Sequence, residues 1–403
     1  MTFCKEHRGP FFFRTGVALL VLLSFAGCRK ETVEPEIKEA YIIDSAIYGD
    51  TKAYNFAYPS SDPYGNPTMI SGTITMGKEV TRTDKANGIL LYNRYTIFRA
   101  DQCPSRGSLD FQKRASGSGL IVVTSDHYGF GITEDMPQAY CHAHANAQTS
   151  VDALLAAEKL LKEMGFEWND VIFNVGYSQG GQTAMGVVRL VAERYPSIGI
   201  TYTFAGGGPY SLLQTYRGII EAGYNDMPCT VVGTILAFNY FGGVYKPFFS
   251  LFTEPLLSNV DDWITSKRYT RQQIDKLIGS KKTADYLSVE LNDLSSSLSQ
   301  QFMRALDADN LCKGWTPRGD ERVMLVHNKK DTAVPVACAQ EMYQFLLDGG
   351  AAEVDLRLID IAGNSLYTAH EAAGVSFLAL TINKISEILG ISPWVLLCEI
   401  FEF

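Results

Sequence analysis

Val171-Ile172-Phe173-Asn174-Val175-Gly176-Tyr177-Ser178-Gln179-Gly180-Gly181-Gln182-Thr183-Ala184 is the stretch on which the reading of this 403-residue chain turns. Its first half is a short run of β-branched and aromatic residues, the composition of a strand buried on both faces of a parallel sheet. Its second half leads into a helical pattern over residues 183–194 that stops before Pro196. Between them, Gly176-x-Ser178-x-Gly180 fits the strained strand-to-helix turn that pushes a serine hydroxyl out at the carboxyl edge of such a sheet. Glycines flank the serine because side chains there would collide with neighbouring elements. The amino end of the following helix favours negative charge developing beside it. Ser178 is therefore the candidate nucleophile.

The same style of apolar run recurs at residues 88–92, 119–124, 200–205, 323–327 and 354–361. Helical patterns lie between most of them, at 151–164, 183–194 and 337–347. Strand–helix alternation of this kind predicts an α/β fold with a mostly parallel sheet flanked by helices. Ahead of it, segments 40–48, 53–58 and 70–76 read as strands, and the turn-dense Ser60–Pro67 stretch joins the last two as a hairpin at an antiparallel sheet edge. Residues 210–321 break the rhythm. They hold helical pieces at 271–278 and 294–306 and the aromatic residues Phe238, Tyr240, Phe241, Tyr245, Phe248, Phe249 and Phe252. The segment reads as a helical cap inserted between core parts 40–209 and 322–403, its aromatic residues forming either a lipid-facing surface or the cap's own core.

A serine hydroxyl is a weak nucleophile and needs a base oriented by an acid. The Gly176-x-Ser178-x-Gly180 turn resembles that of the α/β hydrolases, which implies the chain order serine, then carboxylate, then histidine. Of the six histidines, His7 lies in the amino-terminal leader, and His127, His142, His144 and His327 precede the acid candidates, leaving His370 as the base. Asp331 follows the 323–327 strand directly, whereas the runner-up, Asp360, falls within the next strand. The 153 residues from Ser178 to Asp331 leave room for the cap, and the 39 from Asp331 to His370 suit one helix and one strand. The oxyanion hole needs two N–H donors: the backbone of Gln179, and one from Asn93-Arg94-Tyr95-Thr96-Ile97, with Tyr95 as the candidate. Ser125-Asp126-His127-Tyr128-Gly129-Phe130-Gly131 reads as a structural turn rather than a pocket mouth. His142 and His144 lack acidic or thiol partners at a definite spacing, so neither a metal nor a cofactor is expected.

The amino terminus carries Lys5, Arg8 and Arg14, then an apolar stretch of 12 residues from Gly16 to Gly27. That is too short for the ~20 residues of a membrane span and suits a signal sequence. Phe25-Ala26-Gly27-Cys28 resembles the lipobox of bacterial lipoproteins, which implies lipidation of Cys28, a polar tether over 29–39 and a lipid anchor in the cell envelope, periplasmic or at the cell surface. The net charge of −9 argues against a nucleic-acid partner. Six cysteines remain beyond Cys4 and Cys28, an even set that export would permit to pair, with no zinc-like spacing.

Gly176–Gly181, Asp126–Gly131, Cys103-Pro104-Ser105, the 60–76 hairpin and Gly206-Gly207-Gly208-Pro209 together resemble the secretory lipase family of α/β hydrolases, best known from fungal lipases with a helical lid. The resemblance covers residues 40–385 and departs at Asn93–Thr96, where the His-Gly pair common in such enzymes is missing. It implies an α/β-hydrolase fold and a carboxylic-ester hydrolase, esterase or lipase, with the triad on Ser178, Asp331 and His370. A serine peptidase on the same fold and a non-catalytic ligand-binding lipoprotein are the alternatives.

Overall fold

The computed structural model describes residues 38–392; the signal sequence, Cys28, nearly all of the tether and Cys398 lie outside them. Strands β1 (Tyr41–Tyr48), β2 (Thr51–Ser61), β3 (Pro67–Gly77), β4 (Gly88–Asn93), β5 (Leu120–Ser125), β6 (Ile172–Tyr177), β7 (Tyr202–Gly206), β8 (Arg322–Asn328) and β9 (Glu353–Ile359) form one sheet in the order β1-β2-β3-β5-β4-β6-β7-β8-β9. β1, β2, β3 and β5 pair antiparallel, and every pairing from β5 to β9 is parallel. The β2–β3 hairpin turns at Asp62, whose carboxylate accepts the N–H groups of Tyr64 and Asn66 at 2.9 and 2.8 Å.

Strand alternation sorts the core into two layers. Ile89 and Leu91 of β4 and Ile121 and Val123 of β5 face helix α2 (Ala143–Glu163) and helix α3 (Gln179–Arg194), through Leu154, Leu161, Val187 and Leu190. Leu90, Val122, Phe173 and Val175 point the other way, to Ala115 of α1 (Asp110–Ser116) and to Phe377, Ile382 and Ile385 of α9 (Ala369–Leu389). Because both faces are covered, β4 and β5 are buried from end to end, which is why they read as unbroken apolar runs.

Between β7 and β8 the chain forms α4 (Leu212–Ala222), α5 (Pro228–Phe241), α6 (Arg271–Ile278) and α7 (Ser297–Ala308); α8 (Ala337–Asp348) follows β8. This helical segment builds its own core from Phe238, Phe252, Leu256, Phe302 and Leu306, and shares it with Phe98 and Tyr140 from loops beyond β4 and β5. Its aromatic residues divide: Phe238 and Phe252 are in that core, whereas Tyr245 and Phe249 are 65% and 72% exposed. α2 starts eight residues before the apolar periodicity does, because Asp309 from the end of α7 accepts the N–H groups of Ala143 at 2.6 Å and His144 at 3.2 Å. That carboxylate sits at the amino end of α2, where the helix dipole favours it. The five described cysteines beyond the leader, Cys103, Cys141, Cys229, Cys312 and Cys338, all carry free thiols.

Candidate active site

Ser178 caps α3 with φ 59° and ψ −123°, a left-handed conformation that costs a non-glycine residue about 1–3 kcal/mol. The surroundings hold it there. A Cβ on Gly176 would lie 2.0 Å from the carbonyl oxygen of Gly180, one on Gly180 2.1 Å from that of Asn93, and one on Gly181 2.4 Å from that of Gly206. The glycines of the motif thus permit three backbone segments to close around the serine, while the Ser178 N–H donates to Gly206 across the β6–β7 edge at 2.8 Å.

His370 occupies the first turn of α9, and its Nε2 is 2.8 Å from Ser178 Oγ. Its Nδ1 is 2.6 Å from Asp331 Oδ2. A carboxylate only accepts, so Nδ1 carries the proton and Nε2 is left as the acceptor for the serine hydroxyl. The other oxygen of Asp331 accepts the N–H groups of Ala333 and Val334, both at 2.9 Å. Burial alone would push the Asp331 carboxyl up; the adjacent His370, its hydrogen bond, His327 and the Val334 N–H outweigh it and hold the group below the ordinary carboxylate range. The runner-up acid, Asp360, is on the surface, paired with Lys330 at 2.6 Å.

Several positioning groups escaped the sequence reading. Tyr177 donates its hydroxyl to the His370 carbonyl at 2.6 Å. Asn328, buried at the end of β8, donates to the carbonyls of Ile361 and Ala369, both at 2.8 Å, and so ties the acid loop to the histidine turn. His327 is buried behind the acid, its Nε2 2.9 Å from the Val334 carbonyl and 3.6 Å from Asp331 Oδ2. Tyr177 and Asn328 act on residues brought close only by the fold, whereas the partners of His327 lie four and seven residues further along its own loop.

Gln179 follows Ser178 directly as the first residue of α3, so its N–H has no intrahelical acceptor. Tyr95 follows β4, is 52% exposed and lines a cavity together with Ser178. Its neighbour Arg94 turns inward, donating to the Asp126 carbonyl at 2.8 and 3.2 Å and stacking over Phe130 at 4.8 Å. Asp126 in turn accepts Ser71 Oγ at 2.5 Å and the Ser105 N–H at 3.1 Å, and His127 Nδ1 lies 2.9 Å from Thr149 Oγ1. The Asp126–Gly131 turn is thus a buried anchor for the loop that carries Tyr95.

The helical segment is fastened to the histidine turn. Arg271 of α6 pairs with both Asp275 and Glu371, and Glu371 accepts the Thr368 N–H at 2.9 Å, capping the helix whose second residue is His370. Burial pushes the Asp275 carboxyl up to about 6, against the pull of Arg271. An acid raised in the folded state loses stability as pH climbs through that value. Arg271→Met, which strands buried carboxylates, is therefore expected to cost about 3–5 kcal/mol at pH 8 and less at pH 5, where Asp275 takes up a proton. Urea unfolding at the two pH values checks this; equal losses would refute the charge account.

Ser178 and His370 open onto two cavities. One, about 50 Å³, runs under α4 and α5 between apolar walls that include Leu212, Ile219 and Ile235. The other, about 520 Å³, lies between α1, the loop after β4 and α9.

No protein-family model and no curated protein matches the chain. Solved structures do. A Legionella pneumophila protein named only as a candidate hydrolase superposes with TM-score 0.71 at 19% identity, over 88% of this chain and 89% of that one. The rice cell wall degrading esterase LipA from Xanthomonas oryzae gives 0.69 at 20%, over 85% and 94%. Candida antarctica lipase A in its closed state gives 0.65 at 14%, over 87% and 82%. At such identities the likeness establishes a common fold.

Proposed function

We propose that this chain, which has the α/β-hydrolase fold, is a serine hydrolase of carboxylic esters that works through an acyl-enzyme. The observation that carries the reading is the unbroken hydrogen-bonded series from Ser178 Oγ through His370 to Asp331 at 2.8 and 2.6 Å, set on a strained elbow. As Oγ attacks the ester carbonyl carbon, its proton passes to His370 Nε2, and the carbonyl π electrons move to oxygen. The Gln179 N–H, with Tyr95 as the candidate second donor, stabilises that oxyanion. The carbon–oxygen bond to the alcohol then breaks, and the leaving oxygen takes the proton from Nε2. Water repeats the attack on the acyl-enzyme and gives its proton to Nε2; the bond from the acyl carbon to Ser178 Oγ then breaks, Oγ takes the proton back from Nε2, and the acid leaves. Asp331 stays ionised throughout and holds the imidazole in the productive tautomer. The same proposal puts the enzyme on a lipid anchor in the cell envelope, a reading supported by the leader and by the lipobox-like Phe25-Ala26-Gly27-Cys28.

The same triad cleaves amides, and a silent relative would bind without turnover. A fluorophosphonate probe is expected to label Ser178, and an ester-against-peptide panel to yield turnover on esters alone. Labelling with peptide cleavage would make it a peptidase, and neither labelling nor turnover a binding protein.

A further inference from the structure

Resting on the reading of the site as an ester hydrolase, we infer that its substrate joins a short acyl group to a bulky polyhydroxylated alcohol, such as a sugar ring. Two chambers of very different size meet at Ser178, one about 50 Å³ and the other about 520 Å³. At about 10–15 Å³ per water-sized occupant, the first has room for about three to five heavy atoms, an acyl chain of two to four carbons. The second is the size of a whole small-molecule site.

The orientation follows from what surrounds each chamber. Of the two candidate oxyanion donors, Gln179 lines only the smaller one and Tyr95 only the larger, and Ser178 and His370 line both, so the reacting carbonyl sits where the chambers meet. The larger one continues from His370 along Glu371, Gly374 and Phe377 of α9. The narrow, mainly apolar chamber under α4 and α5 therefore takes the acyl group, and the wide, polar one towards α1 takes the alcohol. Met227 is the only residue besides the serine and histidine common to both linings, and at 4% exposure it is packed as their partition.

The chemistry of the walls differs as the sizes do. The small chamber is walled mainly by Leu212, Ile219, Val231, Ile235 and Val334, and the threonine hydroxyls that also line it, Thr215, Thr230 and Thr234, already donate to backbone carbonyls. In the large chamber Phe111 stacks on Tyr92 with ring centroids 4.1 Å apart, and Asp110, Arg114, Gln102 and Gln272 stand around them. Flat aromatic faces take the C–H face of a ring, and a carboxylate, a guanidinium and amides supply acceptors and donors for its hydroxyls. A lipid alcohol would leave those polar groups unpaired.

The test uses the intact protein without its leader. Across p-nitrophenyl acetate, butyrate, octanoate and palmitate, kcat/KM is expected to peak at two to four carbons and to fall at least about tenfold by octanoate. With acetate as the acyl group, glucose pentaacetate is expected to exceed ethyl acetate at least about tenfold, and Phe111→Ala to narrow that ratio through KM. Met227→Ala, which joins the chambers, is expected to move the optimum to longer acyl chains. A wild-type optimum at octanoate or beyond, or a sugar acetate no better than ethyl acetate, overturns the inference while leaving the hydrolase standing. Absence of both turnover and fluorophosphonate labelling would instead remove the reading it rests on.

Discussion

Ser178→Ala is expected to lower kcat on p-nitrophenyl butyrate by about 10⁵–10⁶-fold and to abolish fluorophosphonate labelling, with KM nearly unchanged. The substitution removes only the hydroxyl that His370 Nε2 meets at 2.8 Å. It leaves the candidate oxyanion donors and both cavities in place, so residual hydrolysis about 10³–10⁴-fold above water is expected to persist. Alanine inherits the φ of 59° that Ser178 holds, so folding is expected to survive, and a near-native thermal midpoint certifies the comparison. A variant that keeps more than about one per cent of the wild-type rate would place the nucleophile elsewhere.

Much of this arrangement was legible in the sequence because the physics that encodes it is local. β4 through β8 lie between two helical layers, and each announced itself as a continuous apolar run. The elbow was legible because its glycines answer to close approach of backbones, which only small residues tolerate. Asp331 and His370 followed from chain order and from their place after β8 and β9. Other elements lacked a local signature. α5 is apolar on nearly every side, since Val231, Val232, Ile235 and Leu236 all enter the helical segment's core, so it shows no amphipathic stripe to betray a helical period. The start of α2 is small and polar and is held by Asp309, 166 residues away. Arg94, next to the candidate oxyanion donor, is buried and bound to the Asp126 carbonyl, a partner 32 residues away that no spacing marks. Tyr177 and Asn328 act across the fold on backbone carbonyls, and a partner of that kind leaves no trace in spacing.

Asp331→Asn is expected to reduce kcat by about 10⁴-fold while leaving the fold intact. Asparagine keeps an oxygen for the Ala333 and Val334 N–H groups, which Asp331 accepts at 2.9 Å each. Its amide nitrogen, however, would face His370 Nδ1 and donate where the carboxylate accepted. The imidazole then carries its proton on Nε2, the atom that must receive the serine's, and the hydroxyl loses its base. The imidazolium formed during attack also loses the charge that stabilises it. Stability gives an independent readout of the same contact. The folded Asp331 carboxyl lies below the ordinary value of 3.8, so its ionised form contributes stability that is complete above that value and drains away as pH falls through it and on to the lower folded one. The wild type is therefore expected to unfold at a higher urea concentration than Asp331→Asn at pH 7, with the gap closing below about pH 4. A tenfold or smaller drop in kcat, together with a gap that does not depend on pH, would mean that the carboxylate orienting His370 is supplied by another residue.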